Sequence, residues 1–121
     1  MEKKRGFTRV YKAVFYSYRG LKQASCHEAA FQQELVCACL LIPLAFFLEV
    51  SATERILLVA SVVFVLVVEL LNTAIEAAVD RVGLEHNALA GQAKDLGSAA
   101  VFLSIMLWAF IWISLLFKAY A

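Results

Sequence analysis

Glu69, Asn72, Glu76 and Asp80 follow one another at intervals of three, four and four residues in the stretch VVELLNTAIEAAVDR, 67–81. On an α-helix those intervals stack on one face, with Thr73 among them. Carboxylates and an amide grouped in this way can take a proton from a hydroxyl or hold a hard cation through oxygen. Glu69 lies six residues inside an apolar run that ends near Ile75, or about 9 Å at ~1.5 Å per residue. An ionisable group at membrane depth costs at least about 2.5–3.5 kcal/mol. Glu69 is therefore expected to meet protein, a cavity or a polar headgroup rather than acyl chains. A lone glutamate of this kind is often only a hydrogen-bonding link between helices. Four polar groups on one face weaken that explanation.

Further candidates flank the apolar runs. Glu28 and Glu34 bracket AAFQQ before the first run, and AKDLGSA places Lys94, Asp95 and Ser98 before the third, with Lys94 and Ser98 four residues apart. Each alone reads as a solvated helix end, and Asp95 near a helix amino terminus is electrostatically ordinary. Together they are expected to surround the same cytoplasmic mouth as Glu76. Carboxylates there suit Mg²⁺, which takes a few oxygen ligands and leaves the rest to nucleotide phosphates; Lys94 and Arg9 could neutralise those phosphates. The chain has no G-x-x-x-x-G-K-[ST] loop and no protein-kinase Gly-rich loop or H-R-D set, so no general nucleotide motif supports the reading. The pattern by itself gives an acidic, metal-capable site at a cytoplasmic membrane boundary.

The elements that must position these residues follow from composition. Of 121 residues 63% are hydrophobic and the mean hydropathy is +0.78, which points to an integral membrane protein. Three apolar stretches predict spans at about 28–48, 54–80 and 92–118. The first contains only 14 uncharged residues, Leu35 to Leu48, and needs a start near Glu28 to cross a bilayer; Pro43 inside it is tolerable as a kink. Seven of the eleven Lys and Arg residues precede residue 23. Beside so much apolar sequence, that cluster fits an anionic membrane surface rather than nucleic acid. The bias sets the amino terminus and the 80–95 segment in the cytoplasm, with the 49–55 loop and carboxyl terminus outside. Phe7, Val10, Tyr11, Val14, Phe15 and Tyr18 recur at helical spacing among basic residues, predicting an amphipathic surface helix at about 7–25 that Gly20 weakens or turns. The three cysteines suggest neither a disulfide framework nor a zinc site, and no secretory signal is expected. The expected whole is one all-α membrane domain over 1–121.

In GFTR (6–9), HEAAF (27–31), VELLNTAIEAAVDR (68–81) and AKDLGSAAV (93–101) the chain resembles the small integral-membrane diacylglycerol kinases of bacteria. The likeness extends over essentially the whole chain, and E-x-x-N-x-x-x-E-x-x-x-D followed by A-K-D-x-G-S-A is highly specific. The resemblance implies a homotrimer of three-span subunits in the bacterial cytoplasmic (inner) membrane, each with a surface helix. It implies transfer of the γ-phosphoryl group of MgATP to diacylglycerol, giving phosphatidic acid. Glu69 matches the general base, and Glu28 and Glu76 match ligands of the metal–nucleotide complex. Arg9, Tyr16, Asn72, Glu85, His86, Asn87, Lys94 and Asp95 match nucleotide contacts; Arg9, Ala13, Glu34, Glu69 and Ser98 match lipid contacts. The sequence departs from the usual pattern at His27, Gln32 and the segment LEHNALAGQ, 84–92. A related branch phosphorylates undecaprenol, and from the residues alone a small proton- or cation-coupled transporter, with Glu69 as a relay, is the alternative of another class. That alternative requires polar groups to continue across the outer half of the bilayer, where only Ser61 is found between Ile56 and Val68.

Overall fold

In the computed structural model, described over residues 2–82 and 88–121, the chain is all-helical: α1 (Glu2–His27), α2 (Ala29–Phe47), α3 (Ala52–Val82) and α4 (Ala88–Tyr120). Three of these, α2, α3 and α4, are long and apolar enough to cross a membrane. The 19 residues of α2 extend ~28 Å at 1.5 Å per residue, close to the ~30 Å of a hydrocarbon core. Pro43 sits inside α2 without ending it. Gly20, expected to weaken or turn α1, does not turn it: α1 continues past it to His27. A glycine in a helix costs only about 1 kcal/mol, which good helix formers on both sides offset. Likewise α4 starts at Ala88, before the expected 92, so Asp95 lies nearly two turns inside the helix. It is too far in to be a simple partner of the amino-terminal dipole, whose effect fades within the first turn.

The end of the bundle near residues 48–55 is held by polar contacts that replace missing helix hydrogen bonds. Ser51 and Glu54 form a reciprocal cap on α3: the Glu54 N–H donates to Ser51 Oγ at 3.1 Å and the Ser51 N–H to Glu54 Oε1 at 3.0 Å. Each thereby satisfies a backbone donor that the first turn leaves open. Arg55 reaches back to the end of α2, donating through Nε to Ala45 O at 3.1 Å and through Nη2 to Leu48 O at 3.1 Å and Val50 O at 3.4 Å. The end of α4 joins this group. Lys118 Nζ pairs with Glu54 Oε2 at 3.0 Å, and the Glu49 N–H donates to Tyr120 Oη at 3.0 Å.

Helix α3 occupies the centre, packed on α2 and on α4, while α1 packs on α2. The core joins Ala38 and Ala45 of α2, Leu58 and Val62 of α3, and Trp112 of α4. The two alanines let α2 approach closely, the route by which helices gain packing energy in lipid. The Trp112 indole is 4% exposed, and its Nε1–H donates to Leu58 O at 3.1 Å and Ser61 Oγ at 3.2 Å. Ser61 in turn donates to Leu58 O at 2.9 Å. Ser61 is thus engaged in helix packing. It does not extend the acidic face across the bilayer, so the transporter alternative gains nothing from it.

Candidate functional site

The acidic face of α3 is graded. Glu69 and Asn72 are buried, Glu76 is partly covered and Asp80 is exposed. The gradient arises because α2 and α4 cover α3 near its middle and leave its last turns open. Asn72 Nδ2 donates to Glu76 Oε1 at 3.2 Å, one turn further along, while Asn72 Oδ1 is buried with no donor facing it. That oxygen lies directly against Gly97 of α4: a Cβ there would collide with Asn72 Oδ1 and come within 3.4 Å of Asn72 Cγ. Only glycine lets α4 pass this close without displacing the amide. Gly97 is buried within its own chain, whereas the other small residues of these helix faces, Ala74, Ala77, Ala78, Ala99 and Ala100, are exposed.

The other carboxylates approach from α2. Glu34 is half-buried, and its carboxyl lies close to that of Glu69. Its Oε2 is buried without a partner. Glu28 is the residue before the first turn of α2, yet its side chain makes no capping hydrogen bond, which leaves the carboxylate available. Glu28 and Glu76 both lie close enough to act on Glu69 through space. Glu28 also lines a cavity of about 480 Å³ between α1 and α3, with Ser17, Gly20, Leu70, Thr73 and Ala77 among its walls. Among the described residues, no three His, Cys, Asp or Glu side chains converge as a metal cage.

Lys94 is engaged: its Nζ pairs with Asp80 at 2.7 Å. The sequence pattern placed Asp80 on the acidic face without pairing it, because the contact joins two helices. Asp95 and Ser98 are exposed on α4. Arg9, Ala13 and Tyr16 are exposed on α1; none of them lines the cavity that contains Glu28, and Arg9 instead borders a shallow hollow with Arg5, Thr8 and Lys12. Glu85, His86 and Asn87 lie outside the described residues. The structure therefore brings together Glu28, Glu34, Glu69, Asn72 and Glu76, with Lys94 held nearby through Asp80. Trp108, which no motif singles out, borders a second cavity together with Glu34.

Known proteins share this sequence over nearly its full length. The chain is 50% identical over 113 residues to the diacylglycerol kinase of Escherichia coli (strain K12), covering 93% of each. It is 45% identical over 117 residues to the Haemophilus influenzae diacylglycerol kinase, covering 97% of this chain and 99% of that one. It is 46% identical over 111 residues to the diacylglycerol kinase of Pseudomonas aeruginosa, covering 92% and 90%. The family pattern described as prokaryotic diacylglycerol kinase matches residues 15–116, a stretch that contains α2, α3, the carboxylates gathered on them, and Lys94. With that match added to the relatives' coverage, the chain belongs to the prokaryotic diacylglycerol kinase family.

Proposed function

We propose that the protein is a lipid kinase that moves the γ-phosphoryl group of ATP to the free hydroxyl of diacylglycerol, giving phosphatidic acid. One observation carries the reading beyond family membership: the acidic face of α3 passes from a buried Glu69 to a partly covered Glu76 and an exposed Asp80. A diacylglycerol hydroxyl waits at the membrane boundary, whereas ATP arrives from water. A site joining them needs a proton acceptor inside the boundary and phosphate-binding groups outside it, and two helical turns (~10 Å) separate Glu69 from Glu76.

Glu69 takes the proton of the attacking hydroxyl, and Glu34, close beside it, helps to hold that hydroxyl. Phosphoryl transfer otherwise depends on in-line positioning and neutralisation of charge. The donors near Glu76 are oxygens, including the orphaned Asn72 Oδ1, which fits Mg²⁺, a hard ion content with one or two carboxylates and the phosphates. Glu28 and Glu76 would hold that ion; when bound, it neutralises charge on the phosphates. Lys94 exchanges Asp80 for a phosphate oxygen, and Asp95, Arg9, Tyr16, Glu85, His86 and Asn87 supply further nucleotide contacts. Arg9, Ala13 and Ser98 border the lipid. The chain works as a homotrimer in the bacterial cytoplasmic membrane, with α1 lying amphipathically in the cytoplasmic interface and the amino terminus inside.

Purified protein in micelles, given radiolabelled ATP and either diacylglycerol or undecaprenol, tests the reading. Label is expected in diacylglycerol. Label in undecaprenol alone would move the protein to the polyprenol branch, and label in neither would refute the kinase assignment.

A further inference from the structure

A cavity of about 130 Å³ opens between α2, α3 and α4, lined by Glu34, Cys37, Leu41, Val62, Val65, Ile105 and Trp108. Its wall is apolar except at two side chains, and each carries an orphaned buried atom: Glu34 Oε2 and Trp108 Nε1. The contrast with Trp112, one turn further along α4, is informative. Trp112 Nε1 has two acceptors, whereas Trp108 Nε1 has none. A buried donor left unpaired costs about 1–3 kcal/mol. One end of the cavity reaches Glu34, whose carboxyl lies close to that of Glu69. Along α2 the lining extends from Glu34 to Leu41, seven residues or ~10 Å into the apolar layer.

Resting on the lipid-kinase reading above, we propose that this cavity receives the glycerol-ester portion of the acceptor lipid, with Trp108 Nε1–H donating to an ester carbonyl. A diacylglycerol presents a hydroxyl that can donate and, a few bonds deeper, carbonyl oxygens that accept. The cavity offers the complementary order: carboxylates at the α3 site end, then an indole N–H among aliphatic side chains. A polyprenol has the hydroxyl and no carbonyl, so it would leave the indole unpaired. Trp108 is thereby a specificity-determining residue that distinguishes ester lipids from lipids without a carbonyl.

The test compares a 1,2-diacylglycerol with the dialkylglycerol of equal chain length, which retains the hydroxyl and lacks both carbonyls. Wild-type protein is expected to favour the diester in kcat/KM. In Trp108→Phe, which retains a ring and removes the N–H, the diester-to-diether ratio is expected to fall five- to tenfold. A general loss of folding would lower both rates and leave the ratio standing, so trimer content and thermal unfolding are measured alongside. An unchanged ratio in folded Trp108→Phe overturns the proposal. So does a variant that weakens the trimer with the ratio intact, which would mean that a second copy of the chain fills the cavity. Absence of phosphorylation of either lipid by wild-type protein would instead refute the kinase reading itself.

Discussion

At the scale of single residues, Glu69 and Gly97 have separable tasks. Glu69→Gln keeps the shape of the side chain and removes the carboxylate proposed as proton acceptor. Turnover is expected to fall by about 10²–10⁴, the usual contribution of a general base, while helix content and oligomeric state stay near wild type. Activity within tenfold of wild type, about 1.4 kcal/mol of barrier, would take Glu69 out of that role. Gly97→Ala drives a methyl group into Asn72 Oδ1, and overpacking of this kind costs about 1–3 kcal/mol. Denaturation in micelles should show that loss, and Asn72→Ser in the same chain should recover part of it by vacating the space. The face bearing Glu69, Asn72, Glu76 and Asp80 was legible in the sequence because helical spacing alone determines it. The need for glycine at 97 was not legible: it depends on how closely α4 crosses α3, which no local pattern encodes. Nor was the Lys94–Asp80 pair, whose members are brought together only when the two helices fold against each other.

At the scale of helices, the three apolar stretches were readable from hydropathy, and their ends were less so. The cap at Ser51 and Glu54 was written plainly as S-x-x-E, yet it stands between two apolar runs where composition dominates the reading. Arg55 is the lone basic residue between 49 and 55, and its guanidinium donates to carbonyls at and just beyond the end of α2. The junction of α3 with α4 depends on the Trp112 ring more than on its N–H, because Leu58 O keeps the Ser61 hydroxyl when the indole donor is removed. Trp112→Phe is accordingly expected to cost about 0.6–1.7 kcal/mol, the range measured for a single hydrogen bond between membrane helices. Trp112→Ala should cost about 3–5 kcal/mol through the cavity it opens. Equal losses in the two variants, measured by reversible unfolding in micelles, would show that the hydrogen bonds rather than the ring hold the helices.

At the scale of the whole molecule, large apolar side chains point outward from all three long helices, including Leu40, Phe47, Phe102, Phe110 and Phe117. Lipid can cover them, but lipid cannot satisfy Glu69, Glu34 and Glu76, and association of copies would shield that face. One chain already places Glu28 and Glu76 near Glu69, so mixing inactive Glu69→Gln chains with inactive Glu28→Gln chains is expected to restore no activity. Glu69→Gln mixed with Glu76→Gln should likewise restore none, because one helix face carries both. Recovery in either mixture would show that the paired residues serve one site from neighbouring chains. Metal use supplies an independent check. Glu28→Gln and Glu76→Gln are each expected to raise the Mg²⁺ and ATP concentrations needed for half-maximal rate, with diacylglycerol dependence unchanged. An unaltered Mg²⁺ requirement in both variants would remove them as metal ligands.

Helix α4 is clamped at one end, where Tyr120 accepts from Glu49 and Lys118 grips Glu54. It has 33 residues and is ~50 Å long. A tilt of about one degree about that clamp would carry the opposite end by roughly 0.9 Å over such a length. Lys94, Asp95 and Gly97 all lie near that opposite end. Misplacement by about 1 Å can cost a factor of about 10² in rate, so on the kinase reading the contacts at the clamp help to set the alignment of the site. Loosening the fulcrum by Lys118→Ala with Tyr120→Phe should lower kcat while the Mg²⁺ requirement stays where it was.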